Sequence, residues 1–316
     1  MRKEAIQVEQ IRGSVHAVVI TIRPDEYEAL EKRLPDPRAV EGGKNSYETA
    51  LLPNGTFGEI RVALTRCTTQ GNLSAQAVAN NVIADLDPAW LIITGIAGGV
   101  PDAEFSLGDV VLTSALHDFS FGASAQGNVT HETMGGPMHP RVERFLQTKP
   151  FGRNGKRLLE LAGLVQDGLQ SSHPTVPMDH VGLFAATYGS DSHRQKVVAS
   201  LAARFPEGHR TDGVRLYVGS CANGNLVLKD TELLSKWQES ARQVINVETE
   251  LAGVYAAARS AGRQSYPVLA VRGLSDIVGF KRSAEWTQYA CDSAAAVTVA
   301  ILSAGDIDFR EQLPNP

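Results

Sequence analysis

Residues 246–276 open with Asn246-Val247-Glu248-Thr249-Glu250-Leu251-Ala252-Gly253, run through an Ala-rich segment to Tyr266-Pro267, and close with Val268-Leu269-Ala270-Val271-Arg272-Gly273-Leu274-Ser275-Asp276. Ala, Leu and Arg dominate the first part, and Gly262 and Pro267 punctuate it, so the stretch predicts a helix, a turn and a strand. The apolar run 268–271 is short and β-branched at both ends, which is the pattern of a strand covered on both faces. An acid just past the C-terminal end of such a strand lies where ligands of open α/β sheets bind. Asp276 takes that position. Glu248 and Glu250 arrive from a different element and are placed to face the same crevice.

Composition agrees with a single large α/β core. The chain has 316 residues, 43% of them hydrophobic, and 29 glycines, enough for a substantial interior with many tight turns. A formal charge of −5 gives no electrostatic footprint for nucleic acid. Cys67, Cys221 and Cys291 are odd in number and widely spaced, which argues against a disulfide framework or a zinc site and fits a reducing compartment. Residues 1–10 lack a signal-peptide core, and no apolar run approaches a membrane span. A cytoplasmic protein with no membrane or nucleic-acid partner is expected.

Outward from the central stretch, residues 1–13 read as a polar lead-in and 14–316 as one domain. Residues 15–22 predict the first core strand. Arg23-Pro24-Asp25-Glu26-Tyr27-Glu28 reads as a turn and helix start with its acids in the first turn. On composition alone Glu26 is a surface acid complementing the helix dipole. Residues 47–66 predict a hairpin about Pro53-Asn54-Gly55. Gln70-Gly71-Asn72 opens a helix over 73–86 whose free N–H groups suit an anion or a polarised water. Residues 90–100 predict a buried strand entering the small-residue loop Ala97-Gly98-Gly99, where backbone can approach a ligand closely. His117-Asp118 has no Ser or Cys nucleophile beside it and reads as a structural pair.

Residues 125–212 read as an insertion, not a second domain, with helices over 155–165 and 192–205. His131, His139, His173, His180, His193 and His209 lack the paired spacing of a metal site. Residues 214–218 return to the sheet and lead into a loop over 219–225. A helix follows over 229–244, opened by Asp230 or Thr231. Ser283 caps a long Ala-rich helix.

Val247-Glu248-Thr249-Glu250, followed at this distance by Arg272-Gly273-Leu274-Ser275-Asp276, resembles the nucleoside phosphorylase and nucleosidase superfamily, which cleaves or exchanges N-glycosidic bonds. Gly95-Ile96-Ala97-Gly98-Gly99, then Leu107-Gly108-Asp109-Val110-Val111, is a second signature; the resemblance thins over 125–212. It implies a single-domain, three-layer α/β/α fold around a mixed twisted sheet, with the Val-Glu-x-Glu step on one helix. Asp276, supported by Ser275, would protonate the departing base. Glu250 would hold the ribose hydroxyls beside Glu248 and Thr249, and Arg272 would hold a carboxylate in place. Ala97 and Gly98 would border base and sugar, and Asn225 would meet the base edge. Trp286 would flank the 5′ substituent, although a core position suits it equally. Glu26 falls where nucleosidases place the acid that activates water, with Asp25 and Glu28 as rivals. The insertion lies where the family closes over the 5′ end, which makes Arg194, Lys196 and Arg210 candidates for phosphate. Phe119 or Phe121 would line a neighbouring subunit's site. A homo-oligomer, dimer or hexamer, is implied, and no cofactor.

Two departures rank the possible reactions. Ile93 and Ile96 stand where phosphorolytic relatives carry an Arg and a Ser that hold phosphate, and a dianion needs charge-assisted donors. Gly279 stands where many relatives have a second acid. Hydrolysis of a purine, in first place an adenine, nucleoside or nucleotide is therefore expected. The nearest branches are the methylthioadenosine/adenosylhomocysteine nucleosidases and the nucleosidase-type effector domains of bacterial defence proteins. A phosphorylase using Arg23 or Arg66 is the second reading. A nucleotide-binding sensor without catalysis is the third, and it gains weight from Ile96, Gly279 and the lack of a purine-stacking aromatic.

Overall fold

The computed structural model describes residues 5–100, 107–125, 128–148, 150–164, 191–192, 195, 199, 213–229, 231–261 and 265–309. Three parallel strands form the centre of the sheet: β2 (Ala17–Thr21), β6 (Trp90–Gly99) and β11 (Val268–Ile277). Every residue of β2 is buried, as expected of apolar, β-branched strands covered on both faces. On one flank β5 (Gly58–Arg66) runs parallel to β2 and forms a hairpin with β4 (Tyr47–Asn54), followed by β3 (Arg38–Glu41) and β1 (Ile6–Gln7). On the other side lie β10 (Val244–Glu248), β9 (Leu216–Asn223) and β7 (Val110–Ala125), with β8 (Asn128–Pro137) folded back on β7.

The sheet is not a simple open one. β6, β10, β9, β7 and β11 pair in a closed ring, because β6 hydrogen-bonds β11 as well as β10. The residues of β6 explain this. It pairs with β2 only as far as Ile93 and accepts β10 at Gly98 and Gly99. Between those points one edge of β6 is released, and such a switch in strand neighbours opens a crevice at the C-terminal strand ends.

Helices cover both faces. α2 (Pro24–Glu31), α5 (Gly152–Leu161) and α8 (Ala284–Ala304) pack together, α8 lying along β11 and β6. α3 (Asn72–Leu86) and α7 (Leu251–Ser260) form the other layer. Close approach is enforced by two glycines. A Cβ on Gly273 would lie 2.2 Å from the Ala290 carbonyl oxygen of α8, and one on Gly253 would lie 2.0 Å from that of Asn72. α1 (Val8–Ile11), α4 (Pro140–Thr148) and α6 (Thr231–Ser240) complete the helices of the described residues. None of the described helices is long and apolar enough to cross a membrane.

The three-layer α/β/α expectation holds; several boundaries move. The 246–250 step is not helical: Val247 and Glu248 end strand β10, and the helix begins only at Leu251. Val244 starts β10, so the helix expected over 229–244 stops at Ser240, and Asp230 lies outside the described residues. The loop expected at 219–225 is largely strand, because β9 runs to Asn223. The 155–165 helix lies at Gly152–Leu161, while most of 192–205 lies outside the described residues. Residues 6–11 are integrated rather than a lead-in: β1 pairs with β3, and Val8 and Ile11 are buried. All three cysteines are buried and free.

Candidate active site

Glu26 occupies the third position of α2, behind Arg23 and Pro24. A Glu there reaches back to the backbone N–H that opens its own helix, and this one does more. Its Oε2 accepts from the N–H groups of Ile22 and Arg23, both at 2.9 Å. Its Oε1 accepts from the N–H of Ile96 at 2.9 Å, on the released edge of β6. The carboxylate thus links β2, α2 and β6 from a position only 3% exposed. Gly95 makes the room, since a Cβ there would lie 2.4 Å from Oε1. Burial pushes the Glu26 carboxyl up, against the opposing pull of Arg272 and the three N–H groups. Its rivals are occupied elsewhere: Asp25 pairs with Arg23 at 2.6 Å, and exposed Glu28 lies 3.8 Å from Lys32.

Glu248, Thr249 and Glu250 sit between the end of β10 and the start of α7. Because the chain turns here, the two carboxylates take different tasks. Glu248 accepts from the N–H of Leu251 at 2.8 Å and of Glu250 at 3.1 Å, pairing N–H groups that the buried N-terminus of α7 would otherwise leave unsatisfied. It also meets Arg272 of β11 at 2.6 Å, with both side chains 1% exposed. Burial raises the Glu248 carboxyl, Arg272 draws it down, and nearby Glu250 raises it again. Glu250 accepts from the Gly71 N–H at 3.0 Å and from the Thr249 hydroxyl at 2.5 Å. Gly71 holds φ +105 at the N-terminus of α3, a backbone conformation open to glycine. Glu250 therefore meets the N-terminus of α3 through Gly71, while Glu248 closes that of α7.

Asp276 is placed by an irregularity in β11. Leu274 pairs with Ala97 and Asp276 with Gly98, so Ser275 is an extra residue. Such a bulge bends the strand and re-aims the side chain beside it. The Ser275 hydroxyl donates to Asp276 Oδ1 at 2.6 Å. Burial raises the Asp276 carboxyl, while the Ser275 hydrogen bond and the charge of Arg282 oppose it.

Glu26, Glu248, Thr249, Glu250, Ser275 and Asp276 line one cavity of about 360 Å³, together with Ile96, Ala97 and Gly98. Carboxylates distant in the chain thus share one space floored by backbone. With these positions established, the family model for the phosphorylase superfamily matches residues 16–303. The chain belongs to the phosphorylase superfamily. Within the superfamily, it is 21% identical over 302 residues to "ATP nucleosidase Cap17" of Escherichia coli, covering 94% of this chain and 53% of that protein. The chain thus spans about half the length of that curated relative. A 5′-methylthioadenosine/S-adenosylhomocysteine nucleosidase of Desulfotalea psychrophila is 28% identical over 166 residues, 52% of this chain and 67% of that one. Among solved structures, the Colwellia psychrerythraea nucleosidase of the same name, in complex with adenine, superposes with a TM-score of 0.59 at 16% identity, covering 93% and 96% of the two chains.

Not every superfamily position expected from the sequence reaches the cavity. Trp286 is 2% exposed and packs edge-on against Tyr289 in the core. Asn225 is exposed and accepts from the Asn72 side chain at 3.0 Å instead of facing the cavity. Arg272 stands behind the wall, acting through Glu248. Arg66 does not line the cavity either, whereas Arg23 does. Phe119 is stacked on Trp237 at 4.6 Å inside the fold, and Phe121 is 58% exposed. Asp118 accepts from Ser120 and Asn223, which gives it a structural task. Arg194, Lys196, Arg210, His173, His180, His193 and His209 lie outside the described residues. Gly279 holds φ +95, and Ser283 caps α8 through the Trp286 N–H at 3.2 Å, so the helix start stays closed without the second acid. The turn at Gln70, expected to suit a ligand, does line the cavity, whereas sequence reasoning missed Leu226, Val227, Lys281 and Arg282. No side-chain pattern marks them, because loops bring them there.

Proposed function

We propose that this chain hydrolyses the N-glycosidic bond of a purine nucleoside or nucleotide, in first place one of adenine, releasing free base and ribose or ribose phosphate. The observation that carries this is the convergence of Glu26, Glu250 and Asp276 on one cavity. Breaking the bond builds negative charge on the base and positive charge on the sugar. A carboxyl raised by burial retains a proton to hand to the base, and Asp276 has that environment. Glu250, held by Gly71 and Thr249, would anchor the ribose hydroxyls and stabilise the cationic sugar.

Glu26 would orient and deprotonate water. A carboxylate offers about four lone-pair sites, and three are taken by backbone N–H groups. The remaining site on Oε1 suits a water at the released edge of β6. Phosphate as nucleophile is disfavoured by charge. The wall there offers Ile96 beside Glu26, Glu248 and Glu250, and Arg23 is engaged by Asp25. A dianion would meet carboxylates where it needs donors. The relatives named as nucleosidases support the same ranking.

The test is free-base release from adenosine, methylthioadenosine, AMP, ATP and guanosine, with and without inorganic phosphate. Adenine with ribose or ribose phosphate, independent of added phosphate, is expected. A strict phosphate requirement with ribose 1-phosphate as product would replace this reading with phosphorolysis.

A further inference from the structure

The cavity is lined by both signs of charge. Its acids are already engaged: Glu26 by three N–H groups, Glu248 by Arg272, Glu250 by Gly71 and Thr249, and Asp276 by Ser275. Four further lining residues are cations: Arg23, Lys229, Lys281 and Arg282. Arg23 is bound to Asp25. Lys281 and Arg282 differ from it. They are adjacent, exposed, and without a hydrogen bond or ion pair among the described residues. Their loop leaves β11 just past Asp276, turns at Gly279 with φ +95, and enters α8 at its Ser283 cap. The turn and cap hold both cations at the cavity, and Arg282 is near enough to bias the Asp276 carboxyl.

Two neighbouring like charges repel each other and gain nothing from a neutral thioether or hydroxyl. Lining a concave site, they concentrate an anion there. A phosphoryl group, with its several oxygens, can take Lys as a point charge and Arg as a bidentate fork at once. We infer that Lys281 and Arg282 form a phosphate-binding rim that makes a 5′-phosphorylated purine nucleoside the substrate class of this cavity. The inference rests on the nucleosidase reading and narrows it.

The experiment compares kcat/KM for adenosine, AMP, ADP and ATP in the wild-type chain and in a Lys281→Ala/Arg282→Ala variant, with thermal melting as a check on folding. The wild type is expected to prefer at least one phosphorylated substrate over adenosine by tenfold or more. Charge-assisted contacts are worth roughly tenfold each in binding, so the variant should cut that preference ratio by about tenfold or more. A wild-type ratio near one overturns the inference, as does an equal loss on adenosine and nucleotides, which would mean the loop acts only through Asp276. Equilibrium binding of adenosine, AMP, ADP and ATP to an Asp276→Asn variant reads the same preference without turnover. If no substrate releases adenine, the nucleosidase reading fails; if none of the three nucleotides binds more tightly than adenosine, the phosphate rim fails.

Discussion

The floor of the cavity and its mouth are built on opposite principles. On the floor, Glu26, Glu248 and Glu250 are each held by two or more donors, and Asp276 by the Ser275 hydroxyl. At the mouth, Leu226 and Val227 are 60% and 68% exposed, and Lys281 and Arg282 project from a short loop. A floor of this kind preorganises charge for one reaction and is costly to alter. A mouth of this kind can change what it admits without disturbing the fold. Under the proposed function, chemistry and selectivity would be carried by different physical means a few residues apart.

The largest effect separating the two regions is expected from Asp276→Asn. Loss of the proton donor should lower kcat by about 10²–10⁴-fold, with the fold intact by circular dichroism; near-normal turnover would remove Asp276 from the chemistry. Glu248→Ala should cost about 3–5 kcal/mol in denaturant unfolding, because it leaves Arg272 charged and unpaired in the interior. Gly95→Ala should lower kcat by about two orders of magnitude, within the range for a displaced acid–base group, since its Cβ would need the space of Glu26 Oε1. An active Gly95→Ala enzyme would show that Glu26 need not touch β6.

A pH series sharpens the same contrast. The Asp276 carboxyl is raised in the folded state, so the folded chain binds the proton more tightly than the unfolded one. Its contribution to stability is complete below the unfolded value of about 3.9 and is lost as pH rises through the raised folded value. Asp276→Asn should therefore melt at or above the wild-type temperature at pH 7, with that advantage vanishing below about pH 4. Wild-type kcat/KM should fall on the alkaline side as the same group loses its proton. The smallest effect is expected at the mouth: Lys281→Ala/Arg282→Ala should shift stability by no more than about 0.5 kcal/mol. A larger loss would show that the loop belongs structurally to the floor.

Much of this was legible along the chain. The apolar strands 15–22, 90–100 and 268–271 and the acids at their ends carry their own pattern, because burial on two faces demands uninterrupted apolar residues. Position 26 is harder. A Glu in a first helical turn is nearly always a solvated dipole partner, and only the released edge of β6 gives this one a second task. The 246–250 step misled for a related reason: its composition is helix-compatible, yet pairing with β6 and β9 draws Asn246, Val247 and Glu248 into a strand. Trp286 takes the core position, one of the two its spacing left open, and Asn225 meets Asn72 instead of the cavity, an orientation that sequence does not encode.

The amino-acid order by itself determined the layers of the fold and which acids were available for chemistry, since these follow from periodicity and residue type, and its motifs carried the resemblance to the superfamily. The tertiary structure decided how each acid is held and what it faces. Glu248 spends its charge on Arg272 and a helix end, Glu250 faces the cavity from the next turn, and the extra residue at Ser275 swings Asp276 toward them. The reason is that a carboxylate's role is set by its donors and its distance from water, and both arrive from segments remote in the chain.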